Sequence, residues 1–265
     1  MINRAGHRAM MEWVRSAAYA AVSLISTPVW AVLSLFTFPL PVSRRYRFIT
    51  LWTRFTLWWL GVSCGLHYRV EGAERIPAGP AIVMAKHQSA WETMALQRVF
   101  PEQTWVLKRE LLWTPFLGWA LALLDPVAIN RKAGRRAVEQ LVEQGRARLQ
   151  QGRWLVVFPE GTRVAPGRKG RYRLGGAVLA ARSGYPVVPV AHNAGDFWPR
   201  RSFRKRAGII QVVVGEPIET QGLAPEEILR RVETWIEDTM ARISPAYPAL
   251  APTILPAASN ELNNL

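Results

Sequence analysis

The sequence is poor in cysteine and in acidic residues, and each shortage narrows what the protein can be. A single cysteine, Cys64, among 265 residues excludes an internal disulfide framework and is typical of a reducing compartment. No spacing typical of a metal site occurs, and no metal or cofactor is predicted. The 19 acidic residues face 34 Lys and Arg, and the net charge of +15 predicts an anionic partner.

The excess positive charge is concentrated in one stretch of the chain. Residues 164–206 hold ten Lys and Arg, and Asp196 is the only acidic residue among them. This composition leaves nucleic acid, anionic lipid head groups and a phosphorylated substrate open. No nucleic-acid partner is predicted.

Charge of either sign is missing from Ser16 to Ser43, a run of 28 residues between flanking arginines. A helix needs ~20 such residues to span a bilayer. Pro28, near the middle, predicts a kink or a division into two helical pieces. Because basic residues lie on both sides of the run, a dip into one leaflet satisfies the positive-inside rule better than one crossing. Residues 1–66 are therefore predicted to form a two-helix, monotopic membrane anchor, with a transmembrane span as the alternative.

After residue 66, seven short apolar runs bounded by Gly, Pro or charged residues alternate with helical patterns. This alternation predicts an α/β domain over residues 67–243, with a largely parallel sheet flanked by helices. One of the predicted helices is LLWTPFLGWALALL, residues 111–124. Residues 244–265 are rich in Pro, Ala and Asn and are predicted to be a loose tail.

Polar residues follow two of the predicted strands, where ligands gather in such folds. In KHQSAWE, residues 86–92, His87 can accept a proton from a hydroxyl near neutral pH, and Glu92 can orient its imidazole. The spacing alone favours the alternative, a histidine at a helix start beside a solvated glutamate. Ser89 lacks the glycines of a nucleophile elbow and is predicted to cap the helix.

The second polar strand end is FPEGTR, residues 158–163. Arg163 can grip a phosphate through two donors, and the backbone N–H groups of a glycine turn can add to it. A surface turn with a salt bridge remains equally compatible with the hexapeptide. Two pairs of cations, Lys108 with Arg109 and Arg131 with Lys132, each follow a predicted strand and are candidates for the same edge of the sheet. Taken singly, each pattern favours solvated cations at a strand end.

Together these blocks resemble the glycerolipid acyltransferases. KHQSAWE resembles their His-x4-Asp motif, and FPEGTR matches their phosphate-site motif letter for letter. VLKRELLWTPFLGWALALLDPVAINR and VVPVAHNAG are similar to the second and fourth blocks. The similarity runs in order from about Tyr68 to Gly215, and the family is identified as that of the 1-acyl-sn-glycerol-3-phosphate acyltransferases.

The resemblance implies transfer of an acyl group from acyl-CoA or acyl-carrier protein to the sn-2 hydroxyl of lysophosphatidate, giving phosphatidate. It implies that His87 is the general base and that Glu92 orients it. It places substrate binding at Lys108, Glu160, Gly161, Thr162 and Arg163. It also implies membrane lipids as partners and a position on the cytoplasmic face of a membrane, the inner membrane if the source is bacterial.

Two residues depart from the family pattern. Glu92 stands at a position where the family has aspartate, so its loop must adjust for the carboxylate to reach His87. Lys86 stands where asparagine commonly precedes the histidine, and it is expected to tune the site or the head-group preference. Another lysolipid acceptor, such as a lyso-ornithine lipid, and a membrane-anchored lipid hydrolase are the alternative functions. The choice of donor and the oligomeric state stay open.

Overall fold

Seven strands form one sheet in the computed structural model, which describes residues 4–247. Its order is β1-β7-β6-β2-β5-β3-β4, and all neighbours run parallel except the antiparallel pair β6 and β7. The predicted largely parallel sheet is confirmed. The strands are β1 (Leu66–Glu71), β2 (Ile82–Ala85), β3 (Gln103–Lys108), β4 (Val127–Ile129), β5 (Trp154–Val157), β6 (Val187–His192) and β7 (Gly208–Val214).

Helices cover both faces of this sheet, so its central strands β2, β5 and β6 are buried along their whole length. Successive side chains of β2 point to opposite faces. Val83 and Ala85 pack in the cluster with the N-terminal helices, whereas Ile82 and Met84 pack in the cluster with the C-terminal helices. The helices are α1 (Arg4–Leu35), α2 (Val42–Cys64), α3 (Trp91–Val99), α4 (Leu117–Ala122), α5 (Arg135–Gln150), α6 (Gly175–Ser183), α7 (Ala194–Phe197) and α8 (Pro225–Ile243).

The N-terminal segment forms two helices, α1 and α2, but among the described helices only α1 is a candidate membrane anchor. The predicted two-helix anchor is therefore reduced to one helix, and α1 is not divided at Pro28. A proline removes one helical hydrogen bond, and packing on a neighbouring helix can outweigh that loss. On either side of Pro28, Trp30 stacks on Phe48 at 5.0 Å between ring centroids, and the indole N–H of Trp52 donates to Ser26. Within residues 4–247, α1 alone is long and apolar enough to cross a membrane.

A buried lysine ties α1 to the sheet domain. The backbone N–H of Lys205 donates to the hydroxyl of Ser16 at 2.9 Å. Its Nζ lies 4.8 Å and 4.6 Å from the ring centroids of Tyr19 and Trp198, a range in which cation–π attraction acts. These contacts fix the N-terminal half of α1 against the domain.

The prediction of one helix over residues 111–124 is wrong. A 3-10 turn, Arg109–Trp113, is followed by the short helix α4, and the break lies at Pro115. Proline disfavours helical backbone at the residue before it, which explains the interruption. Phe116 follows with a positive φ of 63°.

The described chain ends in a turn that contacts the domain. Ser244 is buried, and the hydroxyl of Tyr247 donates to the backbone carbonyl of Arg168 at 2.9 Å. The rest of the predicted loose tail, residues 248–265, lies outside the described residues.

Candidate active site

His87 lies two residues beyond the carboxyl end of β2. Its imidazole stacks on the ring of Phe158, the residue after β5, with 4.0 Å between centroids and 16° between planes. Because β2 and β5 are adjacent and parallel, their polar carboxyl ends meet at one edge of the sheet, as predicted. The His87 side chain is 14% exposed and lines a cavity at this edge.

Glu92, in the first turn of α3, does reach His87. Its Oε1 accepts the Nδ1–H of His87 at 2.8 Å and the N–H groups of Gln88 and Ser89 at 2.9 Å and 2.8 Å. A carboxylate only accepts hydrogen bonds, so Nδ1 carries the proton and Nε2 is left as the acceptor nitrogen. The alternative of a solvated glutamate is wrong, because Glu92 is fully buried.

Burial by itself raises the pKa of the Glu92 carboxyl, but its neighbours outweigh that effect. The imidazoles of His192 and His87 and the backbone N–H of Ser89 hold the pKa of Glu92 below its ordinary value. The carboxylate is therefore ionised at neutral pH. Ser89 also caps the helix as predicted, because its hydroxyl accepts the N–H of Trp91 at 3.2 Å.

His192, at the end of β6, contacts the backbone just before His87. Burial lowers the pKa of the His192 imidazole, and its Nε2–H donates to the backbone carbonyl of Lys86 at 2.8 Å. It is a neutral, fully buried residue that holds the backbone next to His87.

The FPEGTR loop runs beside His87 and presents its polar groups on two sides. Val164 N–H donates to the backbone carbonyl of His87 at 2.7 Å, which ties the two loops together. Arg163 lines the same cavity as His87, and Thr162 is exposed. Gly161 adopts a left-handed φ of 70°, a conformation that glycine tolerates best.

Glu160 differs from its neighbours in this loop, and direct substrate contact does not fit its geometry. Its residue exposure is only 4%. Its Oε1 accepts from Lys86 at 2.7 Å and its Oε2 accepts the backbone N–H of His87 at 2.9 Å. Both oxygens are therefore engaged, and Glu160 supports the loop from behind the cavity.

Cations from three further segments surround the loop. Lys108, at the end of β3, lines the cavity and forms a half-exposed salt bridge with Glu110 at 3.2 Å. Arg131 also lines the cavity, and its guanidinium donates to the carbonyl of Gly161. Arg173 lies close to Gly161 as well, since a Cβ placed there would be 3.5 Å from its Nε. Arg173 belongs to the basic stretch 164–206, but nothing in its local sequence distinguishes it from the other arginines there.

The cavity beyond these polar groups is apolar and has a volume of about 280 Å³. Its walls combine the N-terminal helices with the interrupted segment around α4. The apolar lining includes Trp30, Ala31, Ile49, Leu111, Leu117, Ala120, Leu121 and Leu124. Sequence reasoning did not place α1 in the site, because a wall made by packing one helix on another leaves no local motif.

Comparison with known proteins yields relatives over most of the chain. A sequence profile of the family described as "Acyltransferase" matches residues 67–193. The 1-acyl-sn-glycerol-3-phosphate acyltransferase of Pseudomonas aeruginosa is 45% identical over 240 residues, which are 89% of this chain and 93% of that protein. This chain belongs to the 1-acyl-sn-glycerol-3-phosphate acyltransferase family.

More distant O-acyltransferases of this family match the chain at lower identity. The human 1-acyl-sn-glycerol-3-phosphate acyltransferase alpha is 32% identical over 167 residues, covering 62% of this chain and 59% of the human one. The crystal structure of the 1-acyl-sn-glycerophosphate acyltransferase PlsC from Thermotoga maritima superposes with a TM-score of 0.73. That match covers 89% of this chain and 97% of the other at 22% identity, and it establishes the fold.

No group of three or more His, Cys, Asp and Glu side chains is placed to hold a metal ion anywhere in residues 4–247.

Proposed function

We propose that this chain transfers an acyl group from a thioester donor to the sn-2 hydroxyl of lysophosphatidate, giving phosphatidate. The observation that carries the proposal is the buried His87–Glu92 pair opening onto a cavity with cations at one end and apolar walls at the other. The relatives described above are named for this reaction. An anionic head group fits the cations, and an acyl chain fits the apolar walls.

In the proposed reaction, Nε2 of His87 removes the proton from the lysolipid hydroxyl as its oxygen attacks the thioester carbonyl. Ionised Glu92 stabilises the imidazolium that forms. The tetrahedral intermediate then collapses, the carbon–sulfur bond breaks, and the proton passes from His87 to the departing thiolate. The base is regenerated without a covalent acyl-enzyme.

Arg163, Arg131 and Lys108 are proposed to bind the phosphate of lysophosphatidate, with Gly161 and Thr162 shaping the loop. Guanidinium groups offer paired donors that match phosphate oxygens. All three cations line the cavity that His87 lines, so the head group and the reacting hydroxyl share one compartment. The donor, acyl-CoA or acyl-carrier protein, is anionic in either case and fits the basic stretch 164–206.

The apolar helix α1 indicates membrane association. We propose that the active domain lies on the cytoplasmic face, where a soluble donor can meet a lysolipid held in the bilayer. Large apolar side chains exposed on α1, such as Leu24 at 77% and Ile25 at 67%, support contact with lipid.

The function is tested by incubating the purified protein with labelled lysophosphatidate and palmitoyl-CoA, or the matching acyl-carrier protein, and identifying the lipid product. We expect phosphatidate, with thiol released only when lysophosphatidate is present. A lipid hydrolase would instead release free fatty acid without acceptor. Faster conversion of a lyso-ornithine lipid than of lysophosphatidate would contradict the proposed acceptor.

The cavity lining also predicts which part of the wall limits the length of the acyl chain that binds. Ala120 on α4 lines it, whereas Ala122 on the same helix is exposed and does not. Each excluded methylene removes ~0.8 kcal/mol of apolar burial, so excluding two lowers the rate constant kcat/KM by roughly tenfold. We expect Ala120→Phe to lose about this much with palmitoyl-CoA while keeping activity with lauroyl-CoA.

The control for this prediction is Ala122→Phe, which adds the same ring outside the cavity. It should keep the preference of the unaltered protein across a series of acyl-CoA donors. An equal loss for every chain length in Ala120→Phe would contradict a chain-length role for this wall.

A further inference from the structure

A buried lysine stands directly before His87 but serves the opposite face of the sheet. Lys86 is fully buried, and its Nζ lies 2.7 Å from Oε1 of Glu160 and 2.7 Å from Oε1 of Glu237 on α8. The expectation that Lys86 tunes head-group preference by contact does not fit this position. Lys86 is not among the residues that line the cavity.

Lys86 and His87 point to opposite faces of the sheet because side chains alternate along a strand. Ile82 and Met84 point toward the C-terminal helices, and Lys86 continues that series. Val83 and Ala85 point the other way, and His87 continues theirs toward the cavity. At the adjacent strand end Phe158 stacks on His87, and the turn that follows β5 brings Glu160 to Lys86.

Glu160 links the lysine to the catalytic loop. While its Oε1 binds Lys86, its Oε2 accepts the backbone N–H of His87 at 2.9 Å. Its Oε1 also accepts the N–H of Gly170 at 3.3 Å. One carboxylate thus joins the main chain of the base, the loop that carries Arg163 and the segment that follows it.

The surroundings keep Lys86 charged. Burial by itself lowers the pKa of the Lys86 ammonium, but Glu160 and its other neighbours raise the pKa above the ordinary value. The hydroxyl of Tyr172 donates to Glu237 at 2.8 Å, and the Tyr247 ring centroid lies 5.5 Å from Nζ. A buried charge pair of this kind becomes costly when one partner is removed, because the other is left uncompensated.

We propose that Lys86 is a positioning residue that, by holding Glu160, sets the main chain of His87 and the FPEGTR loop in one register. The proposal rests on the proposed function, because it assumes that His87 and Arg163 act on one substrate. Lys86 stands where the family commonly has asparagine, and the proposal gives this difference a physical role. The charge of Lys86, on the side of the sheet away from the cavity, orders the groups on the cavity side.

The test compares Lys86→Met, which keeps the chain length and removes the charge, with Arg231→Met. Arg231 pairs with Glu227 on helix α8 at 2.6 Å, but it is exposed and lies outside both the cavity and the basic stretch, so it serves as the control. We expect Lys86→Met to lower kcat by about tenfold or more, since a small misplacement of a base costs that much. The KM for the acyl donor should change less than about twofold, because other elements build the apolar cavity. Arg231→Met should keep both constants.

A second variant separates positioning from stability. In Lys86→Met/Glu237→Gln the carboxylate of Glu160 is no longer repelled by that of Glu237, so we expect the melting temperature to recover in part while kcat stays low. Unaltered kcat in either Lys86 variant, measured on folded protein, would overturn the proposal. A loss of kcat that recovers together with the melting temperature would also overturn it.

Hydrogen–deuterium exchange tests the same inference without any assay of activity. Peptides covering residues 86–91 and 159–164 should exchange faster in the folded Lys86→Met/Glu237→Gln variant, and their exchange should be unchanged in Arg231→Met. If the unaltered protein proves inactive as an acyltransferase, the proposed function fails while this result still decides the role of Lys86. Unchanged protection in both peptides would refute it.

Discussion

Replacement of His87 by alanine is expected to lower kcat by about 10²–10⁴-fold, the range that a positioned general base contributes. The fold should survive, because Glu92 keeps its hydrogen bonds from the N–H groups of Gln88 and Ser89. The measurement is the rate of phosphatidate formation from labelled lysophosphatidate, with circular dichroism to confirm folding.

The control for this prediction is His67→Ala, which removes an exposed imidazole from β1. It should leave kcat unchanged. A folded His87→Ala protein that acylates lysophosphatidate at the unaltered rate would rule out His87 as the base and leave the cavity without a proton acceptor of known position.

The second large effect is expected at Glu92, where two variants separate the effect of its charge from the effect of its side-chain length. Glu92→Gln keeps the shape but removes the charge that stabilises protonated His87, and we expect kcat to fall by about 10²–10⁴-fold, as for neutralised carboxylates in comparable pairs. Glu92→Asp keeps the charge but is one methylene short of the 2.8 Å contact, so an intermediate loss is expected. Steady-state kinetics on the two variants measure both effects.

The exposed Glu143 on α5 provides the control, and Glu143→Gln should be indistinguishable from the unaltered protein. Equal rates in Glu92→Gln and Glu92→Asp would contradict a role for the charge.

The ionisation of Glu92 also makes the stability of the protein depend on pH. Because the pKa of Glu92 is lowered in the fold, its ionisation stabilises the protein at pH values above its unfolded pKa of about 4.3, and that stabilisation is lost as the pH falls through the folded pKa.

The strands were predictable because their signal is local. Each is a short apolar run bounded by glycine, proline or charge, and the seven runs correspond to the seven strands observed. The helix over residues 111–124 was mispredicted for an equally local reason. Its apolar periodicity hid the break at Pro115, where the proline disfavours helical backbone at the preceding residue, Thr114.

The pairing of His87 with Glu92 was only a candidate from the sequence. Five residues of separation do not say whether the intervening turn folds back, and here the N–H groups of Gln88 and Ser89 draw the carboxylate into place. For Lys86, being next to His87 in the chain does not place its side chain in the same site. It is adjacent to His87 in the chain, and alternation of the strand sends its side chain to the other face of the sheet.

The sequence by itself determined the α/β class, the apolar N-terminal helix and the two polar strand ends that carry His87 and Arg163. Each of these depends on periodicity and composition within a few residues. Only the tertiary structure decided that Arg131 reaches the FPEGTR loop, that α1 forms a wall of the cavity, and that Lys86 meets Glu237 across 151 positions of chain. Such contacts follow from strand order and helix packing, which bring together residues that are far apart in the chain and that no local sequence pattern connects.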